Sequence, residues 1–201
     1  MAKIKLTKTE LKAQTDALKR FQRFLPMLQL KKQQLQGEIA GIAQKAEETS
    51  AKERAVRADL DRWVGLFATD EDLIAGLVKV KDVRTGTANV AGVAIPTFES
   101  IDTDVKEIDA WATPAWVDNA VETTTQVLSL QCERAIYAEQ RRLVEKELQL
   151  TSQRVNLFEK VKIPECKEAI RKIKIAIGDE QTAAVTRGKI AKGRVPQEEA
   201  A

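Results

Sequence analysis

Apolar residues recur along the first third of the chain in two interleaved seven-residue series. One is Leu11, Leu18, Leu25, Lys32, Ile39, Ala46, Glu53, Leu60 and Phe67; the other is Gln14, Phe21, Leu28, Leu35, Ile42, Thr49, Val56 and Trp63. Thirteen of these 17 positions are apolar, against about seven expected from the 43% average of the chain. A seam kept over so many heptads predicts a coiled-coil helix. Thr7-Lys8-Thr9-Glu10 has the spacing of a capping box, in which the hydroxyl and the carboxylate satisfy each other's free backbone donors, so the helix starts at about Lys8. Carried to near Val64, it is roughly 85 Å long.

A second helix is predicted from Thr113-Pro114, with threonine as N-cap and proline at the first helical position, to about Ile177. Val144, Leu148, Thr151, Val155 and Phe158 alternate steps of four and three, flanked by Ile136, Leu143, Leu150 and Leu157. Around Pro164 the stripe resumes as Ile163, Cys166, Ile170, Ile173 and Ile177, shifted by one residue in phase, so the supercoil is expected to change there. Gly178-Asp179 is read as a break, followed by a short last helix to about Lys192 and a frayed tail.

Between the helices the period changes. Leu77 to Arg84 alternates, Thr85-Gly86-Thr87 and Ala91-Gly92 are turn material, and Val93 to Phe98 is a second β-prone run, which together predict a β-hairpin over about 77–98. Pro96 confines the second strand to an edge or ends it. Domain boundaries follow: a coiled-coil helix over 1–66, a small knob over 67–112, a second coiled-coil helix over 113–178, and a terminal helix and tail over 179–201. The fold class is mainly α. Two long helices separated by about 50 residues fold back as an antiparallel pair, with the hairpin knob on the side or tip of the rod. Interior prolines Pro26 and Pro164 are expected to kink or open their helices and make the rod asymmetric.

Charge sharpens this picture. Residues 1–60 carry 13 Lys+Arg against 7 Asp+Glu, residues 61–125 carry 5 against 12, and residues 126–201 carry 15 against 11, so the net +3 is two basic arms around an acidic middle. Asp70, Glu71, Asp72, Asp102, Asp104, Glu107 and Asp109 make that middle acidic, with Trp111 and Trp116 just beyond. The antiparallel fold brings Lys3, Lys5 and Lys8 to the same tip as Arg187, Lys189, Lys192 and Arg194, which reads either as solvated helix ends or as a surface for contact with an acidic-lined partner. Gly37 and Gly41 lie four apart, off the seam, either as tolerated weak points or as a place for close approach of another subunit.

Catalytic chemistry is thin. With no histidine, imidazole-based triads, HExxH zinc sites and His-ligated metals are excluded. Cys132 and Cys166 sit in helical patterns and read as small apolar residues, in a reducing compartment. The segment Gly188 to Gly193 has the glycine spacing of a P-loop, but Arg194-Val195 follows where Lys and Ser/Thr are required, and no strand precedes it. The acidic run Asp102 to Asp109 lacks the EF-hand spacing and reads as a solvated face. The basic thirds lack the interleaved aromatics of a nucleic-acid surface. No signal peptide or spanning segment is expected. No catalytic, metal or cofactor site is assigned.

Several stretches resemble the D subunit of the V-type ATP synthases, called A-type in archaea. They are Leu25-Pro26-Met27-Leu28-Gln29-Leu30-Lys31-Lys32-Gln33-Gln34-Leu35, Arg154-Val155-Asn156-Leu157-Phe158-Glu159-Lys160 with Ile163-Pro164, Ile170-Arg171-Lys172-Ile173, and Lys189-Ile190-Ala191-Lys192. Asn156-Leu157-Phe158-Glu159 stands where many members read Asn-Ala-Leu-Glu, which is similar to a bacterial branch. The resemblance implies a non-catalytic central rotor stalk without cofactor. Its coiled coil would enter a ring of catalytic and non-catalytic (A and B type) subunits. Its acidic middle would meet the small F-type stalk subunit and the socket subunit of the membrane ring. The chain would then be cytoplasmic and peripheral to the cell membrane, with no nucleic acid and no membrane insertion of its own. A prefoldin-like chaperone, which also sets a hairpin between coiled-coil arms, and a generic coiled-coil scaffold remain the alternatives.

Overall fold

The computed structural model of the chain describes residues 5–61, 77–106, 114 and 116–194. Helix α1 spans Lys8–Asp61. Strands β1 (Val78–Val90) and β2 (Val93–Val105) follow, then α2 (Trp116–Asn156), a π-helical turn (Leu157–Lys162) and α3 (Ile163–Arg194). The chain divides into two compact units, one of residues 31–150 and one of 1–30 with 151–201.

The capping box is only half formed. Thr7 Oγ1 accepts from the Glu10 backbone N–H at 3.3 Å, while the Glu10 carboxylate accepts from Gln14 at 2.8 Å. Beyond it, all 15 heptad positions from Leu11 to Leu60 are buried or half-buried. The period is thus the period of burial, as a coiled-coil seam requires. Trp63, Phe67 and the expected helix end at Val64 lie outside the described residues, as do the N-cap Thr113, Trp111 and the acidic residues Asp70, Glu71, Asp72, Glu107 and Asp109. At the start of α2, the Val117 N–H bonds the Pro114 carbonyl at 3.0 Å.

In the unit of residues 31–150, the helices run antiparallel: Lys31 Nζ meets Glu147 at 2.7 Å, and Arg134 reaches Glu53 at 3.1 Å. Leu35, Ile42 and Val144 form its core, and the hairpin supplies the fourth buried member, Ile95. Ala88, Val90, Ala91 and Val93 close around them, so the turn half of the hairpin lies on the helix pair. The Gln140 side chain, 6% exposed, donates to the Pro96 carbonyl and fixes that placement.

The hairpin differs from expectation in extent and in one of its turns. Its turn is the two-residue Ala91-Gly92, with φ of 50° and 83°, the left-handed pair of a tight hairpin. The Asn89 side chain closes it by accepting from the Gly92 N–H at 2.9 Å. Thr85-Gly86-Thr87 is not a turn but part of β1, paired with Phe98, Thr97 and Pro96. Glycine serves there because a Cβ on Gly86 would meet Thr97 Oγ1 at 2.7 Å and Glu99 Oε1 at 2.6 Å. Nor does β2 end at Pro96 or Phe98. Ile101, Thr103 and Val105 carry the ladder on to Val78, as β-branched residues favour. A two-stranded ribbon has a free edge on each strand, where a missing N–H is harmless. Register steps between Val80 and Asp82 and between Arg84 and Thr85 leave Lys81 and Glu99 as bulges.

In the unit of 1–30 and 151–201 the helices are again antiparallel. The rings of Phe21 and Phe158 meet with centroids 5.0 Å apart, and Leu6 to Lys8 lie beside Ile177 to Ala184. Val155, Cys166, Ala169 and Ile173 are buried. The break expected at Gly178-Asp179 does not occur: α3 is one helix through Arg194. A single glycine costs about 1 kcal/mol relative to alanine inside a helix, too little to end one. Thr182 Oγ1 donates back to the Gly178 carbonyl at 3.0 Å. At Pro26, on the exposed face, α1 also stays helical. At Pro164 the helix remains, but the turn before it is π-helical.

Candidate functional site

Five of the predicted basic residues lie toward one end of the unit of residues 1–30 and 151–201, the arm unit. Lys5 and Lys8 flank the start of α1 and are exposed, and Arg187, Lys189 and Lys192 are exposed on the last turns of α3. Because Leu6 to Lys8 lie against Ile177 to Ala184, the three C-terminal cations belong to helical turns that continue past the start of α1. Every residue from Asp179 to Gly193 is exposed, Val185 at 60% and Ile190 at 54%. Lys3 and the Arg194 side chain lie outside the described residues. Gly188 and Gly193 are helical, in keeping with the failure of the P-loop reading.

The seam residues divide between full and partial cover. Leu35, Ile42, Val144, Val155 and Ile173 are buried, whereas Leu18, Phe21, Leu25, Leu28, Ile39, Leu148, Phe158 and Ile170 are half-buried. A second set went unread in the sequence. Phe24, Met27 and Leu30, off the seam, are 48%, 61% and 56% exposed, and Leu157 and Val161 are 43% and 39% exposed. The available signal was that large apolar residues on the outer face of a two-helix seam cannot be covered by the partner helix. Gly37 and Gly41 are exposed with nothing within 4 Å of an added Cβ, so no neighbour among the described residues requires them.

Glu53 occupies a seam position and is 4% exposed. Its carboxylate accepts from Arg57 at 2.7 Å, Arg134 at 3.1 Å and Gln131 at 3.2 Å. The Gln131 hydrogen bond and the two guanidinium charges hold its carboxyl below the usual value against the cost of burial. This is a clamp between α1 and α2. Tyr137, at the shallow groove beside Ala46 and Ala138, donates to Glu133 at 2.8 Å. Burial, that hydrogen bond and nearby carboxylates push its phenol up to about 12.

Reactive chemistry is sparse. Cys166 is buried and burial, with the Glu165 charge, pushes its thiol up, away from the nucleophilic thiolate; Cys132 is half-buried. Asp102 pairs with Arg84 at 2.8 Å and Asp104 is exposed. Among the described residues, no group of three or more metal-ligating side chains could hold an ion, and no helix is long and apolar enough to cross a membrane.

A long heptad seam with a β-hairpin laid on it and an exposed basic helix end define a coiled-coil protein. The family of ATP synthase D subunits matches residues 10–193. The V-type ATP synthase D subunit of Borreliella burgdorferi is 46% identical over 192 residues, covering 96% of this chain and 95% of that protein. The proteins of the same name from Chlamydia caviae and Chlamydia felis are each 31% identical over 198 residues, covering 98% of this chain and 95% of theirs. The chain belongs to the ATP synthase D-subunit family. The chaperone and generic-scaffold alternatives fall away with that membership.

Proposed function

We propose that this chain is the central rotor stalk of a V-type ATP synthase, carrying rotation between the nucleotide-binding ring and the membrane ring that moves ions. It performs no bond chemistry itself. The observation that carries this reading is the arm unit: two antiparallel helices whose α3 continues into bare turns with Arg187, Lys189 and Lys192 exposed. A shaft turning in a sleeve needs stiffness from paired helices and a surface that slides, and cations on a solvated helix fit polar walls without tight apolar locking. The A and B type ring subunits are the partners proposed for this end. The small F-type stalk subunit and the membrane-ring socket subunit are proposed for the hairpin-bearing region, and the complex would hold the chain at the cytoplasmic face of the membrane. Pro26 and Pro164 supply asymmetry in this reading.

Co-purification and coupled ATPase assays test it. The tagged chain should bring down nucleotide-binding ring subunits and a small partner, and ATP-driven ion movement should stop when it is omitted. Replacing Arg187, Lys189 and Lys192 with Ala should leave the fold intact and reduce coupling. Unchanged assembly and coupling in that variant would remove the basic end from the mechanism.

A further inference from the structure

The two sides of the arm do not hold the same number of residues. On α1 the seam positions Leu11, Gln14, Leu18, Phe21, Leu25 and Leu28 alternate steps of three and four without interruption, and all are half-buried. On the opposing side Thr151, Val155 and Phe158 keep the same alternation, and Ile163, Cys166, Ile170, Ile173 and Ile177 keep it again. The step from Phe158 to Ile163 is five residues where the alternation requires four. One residue is in excess, and the π-helical turn Leu157–Lys162 lies where that excess falls. There the Ile163 N–H bonds the Phe158 carbonyl, five residues back, which is how a helix absorbs an inserted residue.

The excess cannot migrate. Continuing the upstream phase through the turn would bring Lys162, Glu165 and Lys172 to the seam; running the downstream phase backward would bring Glu159, Asn156 and Ser152. Apolar seams on both sides therefore pin the bulge. Pro164 follows at once and withdraws the next backbone donor, and Leu157, Glu159, Lys160 and Val161 around the turn are exposed. A π-helical bonding pattern, a missing donor and little cover coincide within eight residues.

We propose that Leu157–Lys162 with Pro164 is a torsional joint, a fixed place where α3 yields in twist against the end of α2. The seam phase imposes it rather than the proline. Its use as compliance in a rotating shaft rests on the stalk reading; its existence does not. Hydrogen exchange on the purified full chain tests it. Amides from Phe158 to Glu165 should exchange about tenfold faster than those around Val155 and Ile173, and equal protection would overturn the proposal. Pro164→Ala alone should keep most of that fast exchange, because the excess residue stays. Deleting Lys160 in the Pro164→Ala background restores a step of four and should bring the turn to the protection of its flanks with a raised thermal midpoint. If Pro164→Ala alone abolishes the fast exchange, or the deletion leaves it in place, the phase argument is wrong. Failure of the stalk reading would show separately, as wild-type chain that does not travel with ring subunits while its exchange pattern stands.

Discussion

The hairpin-bearing unit and the arm unit use one kind of seam and leave different amounts of apolar surface outside it. In the first, β1 and β2 add a third layer over the helices, and Leu35 and Val144 reach 0% exposure with Ile95 packed against them. In the second, among the described residues, two helices have only each other. Of the twelve exposed large apolar residues among those described, nine (Leu6, Phe24, Met27, Leu30, Leu157, Val161, Ile175, Val185 and Ile190) belong to the arm unit. A two-helix pair covers one stripe per helix and leaves the rest to water or to partners. The difference makes the hairpin unit the better supported of the two and leaves the arm with the larger share of exposed apolar side chains.

The sharpest way to break that comparison is to cut the same cavity in both units. Leu35→Ala removes a side chain enclosed by helices and hairpin and should cost about 3–4 kcal/mol. Ile173→Ala removes an equally buried side chain from a pair that can collapse, and should cost about 2 kcal/mol. Urea denaturation of both variants measures the difference, and a larger cost at Ile173 would reverse the ranking of the units.

Glu53 probes what holds the better-supported unit in register. Glu53→Gln keeps the shape and loses the charge. It should cost about 1–2 kcal/mol near neutral pH, the figure held down because Arg57 and Arg134 are both half exposed and screened. The sign with pH follows from the lowered carboxyl: its stabilisation is complete above the ordinary glutamate value of 4.5 and is lost as pH falls through the depressed one. Thermal midpoints of wild type and variant should therefore converge below pH 4.5. Parallel curves would mean that another group drives the acid loss.

Much of this was legible because a coiled coil writes burial into sequence one residue at a time. The heptad from Leu11 to Leu60 and the slip in phase between Phe158 and Ile163 could both be read by counting. What the slip does to the backbone could not: a kink, a break or a π turn all satisfy the same spacing. Contacts between distant residues were equally silent. Glu53 is one of the charges in the heptad series, but Gln131 and Arg134 are about 80 residues away and lie in a helix whose phase there is less regular. Gly86 and Gly178 misled in the same direction. Glycine lowers a local preference by about 1 kcal/mol, and cross-strand pairing in one case and helix continuity in the other outweigh it. The basic ends were readable as charges and their meeting followed from the antiparallel fold, whereas the exposed Phe24, Met27 and Leu30 show only once the seam is known to be two helices wide.

Thr151 sharpens the comparison from the arm side. It is fully buried at a seam position, and its hydroxyl has no hydrogen-bond partner among the described residues. Thr15, Thr123, Thr125, Thr182 and Thr186 all donate to the carbonyl four residues back. Replacing an unsatisfied buried hydroxyl by a methyl removes a desolvation cost, so Thr151→Val should stabilise the chain by about 1 kcal/mol. A destabilised variant would show that the hydroxyl is satisfied in solution.

Tyr137 gives the smallest and cleanest signal, since it is the single tyrosine of the chain. Its hydroxyl donates to Glu133 beside the groove of the hairpin-bearing unit, and deprotonation would leave a phenolate facing carboxylates in a partly buried site. The folded phenol is therefore raised from 10.0 to about 12. A raised acid group contributes stability that is complete below its unfolded value and is lost as pH climbs through the folded one. Tyrosinate absorbance followed with pH should rise near 12 in the native chain and near 10 in denaturant. Glu133→Gln should move the native transition part of the way down, because burial, the larger cause, remains. A native transition already at 10 would mean that α2 leaves Tyr137 open to water, and that the cover ascribed to this unit does not extend to its groove.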